Sequence, residues 1–257
     1  MQICVMNQET GRDRYYKTWH AAPTHMLIWF QSDGGSLVLS DGVYEIRRGS
    51  LCFVAAGSYH YTMPEDPESY VRSKLFFPAN FFGMIGSFLE NADELAPFSG
   101  KNALCARLPR ELWGQTDSLF AEAGESELSA VSSVLKLLFR TARYADMKTA
   151  AADGIAAVAV DYINRRIQEP ITVDDICGAV HMSKYHFCRR FKAMTGLTPM
   201  AYVQQTRLAL AKDMLRRTEE SVLRISESCG FGSQAHFCRV FRQATGMSPL
   251  QYRKQKR

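Results

Sequence analysis

The chain has 257 residues, of which 46% are hydrophobic and 22% charged, with a formal net charge of +5. Length and composition fit a globular protein of about two domains at roughly 150 residues each, and they exclude disordered, collagen-like and coiled-coil classes. No apolar run reaches the roughly 18 residues a membrane-spanning helix needs, so none is expected.

The start, Met1 to Glu9, has no basic region leading into an apolar run and does not read as a signal peptide. Cys4, Cys52, Cys105, Cys177, Cys188, Cys229 and Cys238 are odd in number and contain no C-x-x-C pair. That pattern predicts a reduced, cytoplasmic chain, not a disulfide scaffold or a zinc site. Charge is unevenly divided. Residues 155–257 hold 17 Lys/Arg against 8 Asp/Glu, a net of +9, whereas residues 1–154 hold 14 against 18, a net of −4. A basic part that suits a polyanion thus follows an acidic part of different character.

Residues 1–110 carry short β-rich runs: 26–30, 36–39, 43–46, 51–54 and 70–77. Ser32-Asp33-Gly34-Gly35, Ser40-Asp41-Gly42 and Gly57-Ser58 punctuate them, which predicts an all-β barrel or sandwich. His25 and Trp29 share one strand face with Leu27, since strand side chains alternate. His60 suits a ligand contact or a satisfied core hydrogen bond equally. Arg72 and Lys74 also share a face, read as a solvated outer face, with an acidic ligand as the alternative. Residues 111–150 are predicted to be a helical dimerisation or linker segment. Its amphipathic stretch 128–144 either packs on the β domain or pairs two subunits. The Ala-rich region 145–154 reads as a hinge, and a helix over 155–168 opens the C-terminal part, 151–257.

That part repeats itself at an offset of 50. His186-Phe187-Cys188-Arg189-Arg190-Phe191 recurs as His236-Phe237-Cys238-Arg239-Val240-Phe241, and Gly196, Pro199 and Tyr202 recur as Gly246, Pro249 and Tyr252. One supersecondary unit used twice is the natural reading. Each unit reads as helix, tight turn, helix, over about 172–196 and about 221–246. Thr172, Ser183, Ser221 and Ser233 stand as N-caps. The pairs Phe187/Phe191 and Phe237/Phe241, four apart, form buried stripes. A long connecting helix is predicted over about 198–217. A hydrophobic helix holding a second helix with a polar, basic start is the helix-turn-helix arrangement, whose second helix enters the major groove.

On these residues the sequence resembles the AraC/XylS family of transcription regulators. Ile225, Gly230-Phe231, Ser233, Phe237, Arg239, Phe241, Gly246, Ser248-Pro249 and Tyr252-Arg253 carry the signature in the second unit. Ser183, Phe187, Arg189, Phe191, Gly196, Pro199, Tyr202, Arg207, Ala211 and Leu215 carry it in the first unit and the linker helix. The resemblance covers about residues 155–257. It implies an α+β protein of two domains, with a cupin-like β-barrel sensor and an all-α domain of two helix-turn-helix subdomains joined by a long helix. It implies base readout by Tyr185, Cys188 and Arg189 in the first unit and by Gln234, Ala235, His236 and Arg239 in the second, although either arginine also suits a structural ion pair. Cys188 and Cys238 equally suit small packing roles. Ser183, Lys184, Lys192, Ser233 and Arg242 suit phosphate contacts, which orient without specifying.

The stretch Gly49 to His60 resembles part of the cupin-like arm, with Ala55 and Ala56 at the usual prolines. The resemblance therefore implies a small-molecule effector in the barrel, with His60, His25 and Trp29 as candidate ligand residues. Double-stranded DNA, RNA polymerase and a second copy of the chain are the implied macromolecular partners. No cofactor or metal is expected, because no H-x-H is present. The rival reading is a cupin-type enzyme carrying a DNA-binding domain. A DNA-repair alkyl acceptor ranks lower, because Cys4, Cys52 and Cys105 are far apart in sequence.

Overall fold

A computed structural model of the chain describes residues 3–10, 19–39, 42–87, 92–98, 100, 102–145 and 154–255. The chain divides into two compact units, Met1–Ala157 and Val158–Arg257.

The first unit holds eight strands: β1 (Cys4–Thr10), β2 (His25–Phe30), β3 (Gly35–Leu39), β4 (Val43–Glu45), β5 (Ser50–Val54), β6 (His60–Pro64), β7 (Val71–Phe77) and β8 (Ala103–Arg107). They form a five-stranded sheet in the order β1-β7-β2-β5-β8 and a three-stranded sheet in the order β4-β3-β6. All the pairings are antiparallel. The helices of this unit are α1 (Phe81–Gly86), α2 (Trp113–Glu122) and α3 (Glu127–Tyr144). The helix α4 (Gly154–Arg165) follows, and residues 146–153, most of the expected hinge, lie outside the described residues.

Central strand β2 is buried along its whole length because each of its faces meets a different core. Leu27 and Trp29 join Leu51, Phe53, Leu75 and Phe77 in packing against Leu119, Phe120, Val134 and Leu138 of α2 and α3. Met26, Ile28 and Phe30 face the other way and pack with Leu37, Leu39, Ile46 and Tyr70. The period of two alone sorts the apolar residues of β2 into these two cores.

Two expectations need correction here. Among the described residues no ladder joins the two sheets into a closed barrel. The five-stranded sheet ends at β1 and β8, the three-stranded one at β4 and β6. Short β4 offers only three residues for pairing, too little edge to carry the ring around. Second, the cysteines are not all reduced. The β5–β8 register sets Cys52 directly opposite Cys105, and the two are joined as a disulfide although 53 residues separate them. Sequence spacing cannot reveal a pair that only strand register creates.

The second unit is helical: α5 (Val173–Val180), α6 (Lys184–Thr195), α7 (Pro199–Arg217), α8 (Val222–Ser228), α9 (Gln234–Thr245) and α10 (Pro249–Gln255). Thr172 and Asp175 close a reciprocal capping box on α5, while Ser221 caps α8 through the Arg224 amide. Pro199 starts α7 at the position where its missing N–H costs nothing. Helices α6 and α9 end at Gly196 and Gly246, both with φ near 70°: 70° and 76°. The two copies agree in detail behind their outer faces. Phe187, Phe191 and Tyr202 form one aromatic trio, with Phe191 and Tyr202 at 5.5 Å and nearly perpendicular. Phe237, Phe241 and Tyr252 repeat it, with the corresponding pair at 5.3 Å.

Candidate nucleic-acid interface

Each recognition helix is held from behind and bare in front. In α6, Phe187 and Phe191 are fully buried, while Ser183, Lys184, Tyr185, His186, Arg189 and Lys192 are exposed. In α9, Phe237, Val240 and Phe241 are buried, while Ser233, Gln234, Ala235, His236, Arg239 and Arg242 are exposed. Helical periodicity does this sorting, because the aromatic stripe anchors the helix and turns the polar positions outward. Cys188 and Cys238 lie half-buried between the two faces.

The exposed side chains are mostly uncommitted to the fold. Arg189 makes no ion pair among the described residues, and Arg239 donates a hydrogen bond to Nδ1 of His236, 3.2 Å away. Neither arginine turns back into its subdomain. Tyr185 is 70% exposed, an aromatic ring left in solvent at the second position of α6. Lys184 differs, since its Nζ pairs with Asp174 on α5 at 3.1 Å. The caps also differ. Ser233 accepts the His236 amide, whereas the Ser183 hydroxyl makes no capping bond.

The two turns are not identical. In the first, His181 takes the left-handed conformation, with φ 53°. In the second, Gly230 takes it at φ 76°, and Gly232 adds one residue before Ser233. The first helices of the two units therefore correspond at an offset of 49 and the second helices at 50. Gly230 also admits no side chain. A Cβ there would stand 2.4 Å from the Ile167 carbonyl oxygen and 2.9 Å from Nε of Arg207. Arg207 on α7 donates in turn to the Ile167 and Glu169 carbonyls, fixing the turn against the segment after α4. The sequence singles out Arg207 as one of the residues that carry the family resemblance, but its turn-fixing role shows only in these bonds.

The candidate ligand residues of the first unit separate. His60 is buried and lines a cavity together with Glu9, His20, Thr62, Arg72 and Lys74. Burial, with His20 and the two cations nearby, pushes its pKa down to about 3, so the ring is neutral. Its Nδ1 donates to the Ser58 carbonyl at 2.9 Å. His25 and Trp29 do not join it. They do share a face with Leu27, but that face looks toward the helices and not into the cavity. His25 accepts the Ala56 amide, donates to the Ala79 carbonyl and packs against Phe53, Phe77 and Phe82. Trp29 donates to Asp117 of α2 at 2.8 Å. The alternate residues Met26 and Ile28 line the cavity instead. Arg72 and Lys74, read as a solvated outer face, point inward and are largely buried. Among the described residues no three His, Cys, Asp or Glu side chains group into a metal-ligand set.

A duplicated helix-turn-helix domain with two bare, polar recognition helices is the class this geometry defines. Residues 176–255 match the family of the helix-turn-helix domain. The transcriptional activator RhaS of Shigella sonnei is 25% identical over 225 residues, covering 82% of this chain and 78% of that protein. The probable transcriptional regulator LumQ of Photobacterium leiognathi is 31% identical over 75 residues, covering 29% of this chain and 30% of that protein. A crystal structure of a transcriptional regulator from Chromobacterium violaceum, described as AraC-type, is 32% identical and covers 40% of this chain and 91% of that one, with a TM-score of 0.38. The chain is thus similar to helix-turn-helix transcription regulators, through the matched domain over residues 176–255 and through RhaS over most of its length.

Proposed function

We propose that the protein is a sequence-specific DNA-binding transcription regulator whose N-terminal unit senses a small molecule. One observation carries the DNA-binding part: the same aromatic trio twice presents an exposed polar and basic helix start, within a segment of net charge +9. Helices α6 and α9 enter successive major-groove segments, about 34 Å apart along the duplex. Tyr185, Cys188 and Arg189 read bases in one segment, and Gln234, Ala235, His236 and Arg239 read them in the other. Arginine pairs bidentately with guanine O6 and N7, and glutamine with adenine N6 and N7. Ser183, Lys184, Lys192, Ser233 and Arg242 contact phosphates and set the register.

The first unit is read as a cupin-like sensor, with the His60 cavity as its effector site. The effector acts by binding one arrangement of the protein more tightly than another, since only differential affinity shifts an equilibrium. A second copy of the chain pairs through α3. Its exposed Leu128, Leu135 and Phe139 recur at spacings of seven and four on one helix face, a self-complementary stripe suited to a twofold contact. The protein works without a catalytic step, in the cytoplasm, and hands its signal to RNA polymerase. Selection of bound duplexes from random DNA tests the reading. Enrichment of a two-segment site is the expected result, and recovery of unenriched sequence after several rounds contradicts it.

A further inference from the structure

Cys52 and Cys105 form the one disulfide among the described residues, and the other five cysteines are free thiols. The pair sits where β5 meets the edge strand β8. The Ala55 N–H donates to the Asn102 carbonyl at 2.8 Å, and the Leu108 N–H to the Gly49 carbonyl at 2.9 Å, which fixes the phase of this ladder. Counting inward from either bond, Cys52 and Cys105 fall on a non-hydrogen-bonded pair, the kind whose side chains come closest. Their Cα atoms are 4.1 Å apart. Neither residue gives the other a ladder bond, so the link between their sulfurs can open and close without unpairing the strands. The two sulfurs are not equally placed. Cys52 is 2% exposed and Cys105 9%, and β8 has a neighbouring strand on one side only. Local opening of an edge strand costs less than opening a central one, and it brings Cys105 within reach of an attacking thiolate. Strand β8 also carries α3. Leu104 and Ala106 join the core that holds Val134, Leu137 and Leu138, while Cys105 faces the other core. Ala106 bridges to Ala145, the residue that follows that helix.

We propose that Cys52 and Cys105 are a reversible thiol–disulfide switch, worked by a low-molecular-weight thiol such as glutathione, that sets how firmly β8 holds α3. The inference rests on the regulator reading above. A chain that binds DNA in the cytoplasm works where thiol buffers keep cysteines reduced, and a disulfide formed there is usually transient and redox-sensing. The five free thiols agree with such a compartment. In the opening step a glutathione thiolate attacks Sγ of Cys105. The sulfur–sulfur bond of the protein breaks, and Cys52 leaves as a thiolate that takes up a proton. A second glutathione thiolate then displaces Cys105 from the mixed disulfide, and Cys105 is protonated in turn. Two glutathione thiols are thereby oxidised to one disulfide, and the protein gains two electrons and two protons. Excess glutathione disulfide runs the sequence backwards. With the bond closed, β8 is tied covalently to β5 across a sequence separation of 53. With it open, the ladder alone ties the edge strand to β5, and α3 packs on a looser seat.

The test equilibrates the full chain in buffers of fixed glutathione to glutathione disulfide ratio. Free thiols are alkylated and located by peptide mass spectrometry, and deuterium exchange of the backbone amides is read in parallel. Cys52 and Cys105 should pass together from disulfide to dithiol between the most oxidising and the most reducing buffer. Amide protection in β8 and α3 should then drop by about tenfold or more, as release of a long cross-linked loop requires. Protection in α5 to α10 should stay the same. Cys52→Ala combined with Cys105→Ala should hold β8 and α3 at the reduced level in every buffer, with circular dichroism checking its fold. The wild-type chain decides alone if that variant does not fold. A bond that stays closed, or stays open, at every ratio overturns the proposal. So does equal protection in the two states, or a folded double variant that still follows the buffer. Binding of a selected duplex separates this inference from the reading beneath it. A titrating bond in a chain without duplex preference removes the regulator reading and leaves the switch standing. A sequence-specific chain whose bond never titrates removes the switch alone.

Discussion

Arg239 and Lys192 are both exposed cations on recognition helices, yet their proposed tasks differ and so do their predicted effects. Arg239→Ala should relax preference at one base pair by about 1–3 kcal/mol, leaving other positions alone. Lys192→Ala should weaken all duplexes alike and lower the salt dependence by about one phosphate. Quantitative competition among single-base variants of a selected site separates the two. An Arg239→Ala protein with unaltered base preference would remove that residue from the readers. His60 gives a prediction of another kind. Its folded pKa of about 3 lies below the ordinary value of 6.5. Its contribution to stability is therefore full above pH 6.5 and is lost as pH falls from there toward 3, because the unfolded chain takes up a proton the folded chain refuses. Thermal melts between pH 7 and 4 should show that slope, and His60→Gln should flatten it. Residue-level legibility was uneven. The exposed starts of α6 and α9 could be read from spacing, since helical period alone separates them from the phenylalanines. The inward face of β7 could not, because period two shows that Arg72 and Lys74 share a side without saying which side is buried.

Gly230 ties the second turn to Arg207 and to the Ile167 carbonyl, and so belongs to the scale of whole elements. Gly230→Ala adds a Cβ at positive φ, which costs about 1–2 kcal/mol before the close contacts are counted. The variant should melt at lower temperature and lose DNA affinity through the second unit. Unchanged stability would mean that the turn relaxes freely. Phe241→Ala should be harsher, at about 3–5 kcal/mol, because it empties the centre of the trio that holds α9. On α3, Phe139→Asp should turn a dimer into a monomer in sedimentation without unfolding the unit, since that ring is 61% exposed. The helical elements were legible because their periodicity is long and their caps, such as Thr172 and Ser221, are locally encoded. Strands β1, β6 and β8 escaped notice. Cys4–Thr10 carries few β-branched residues, and Ala103–Arg107 is a strand only because β5 lies beside it. Helix α2 lies inside the predicted helical segment 111–150 but its bounds were not legible there, since it is set by burial of Leu119 and Phe120 beneath the sheet.

At the scale of the whole molecule, the division of charge has the widest consequence. The net +9 of residues 155–257 suits a polyanion, whereas the net −4 of residues 1–154 does not. The helix-turn-helix fold of the C-terminal unit follows from the internal repeat, which any chain must fold twice in the same way if its apolar positions agree. The openness of the β layers was not legible, since closure depends on edge pairing between strands distant in sequence. The most direct test is competition binding of a selected duplex against a scrambled one of equal length, in rising salt. Both affinities should fall with a log–log slope of about −0.9 for each phosphate neutralised. The selected duplex should keep its advantage throughout. Equal affinity for the two duplexes at every salt concentration would contradict the account.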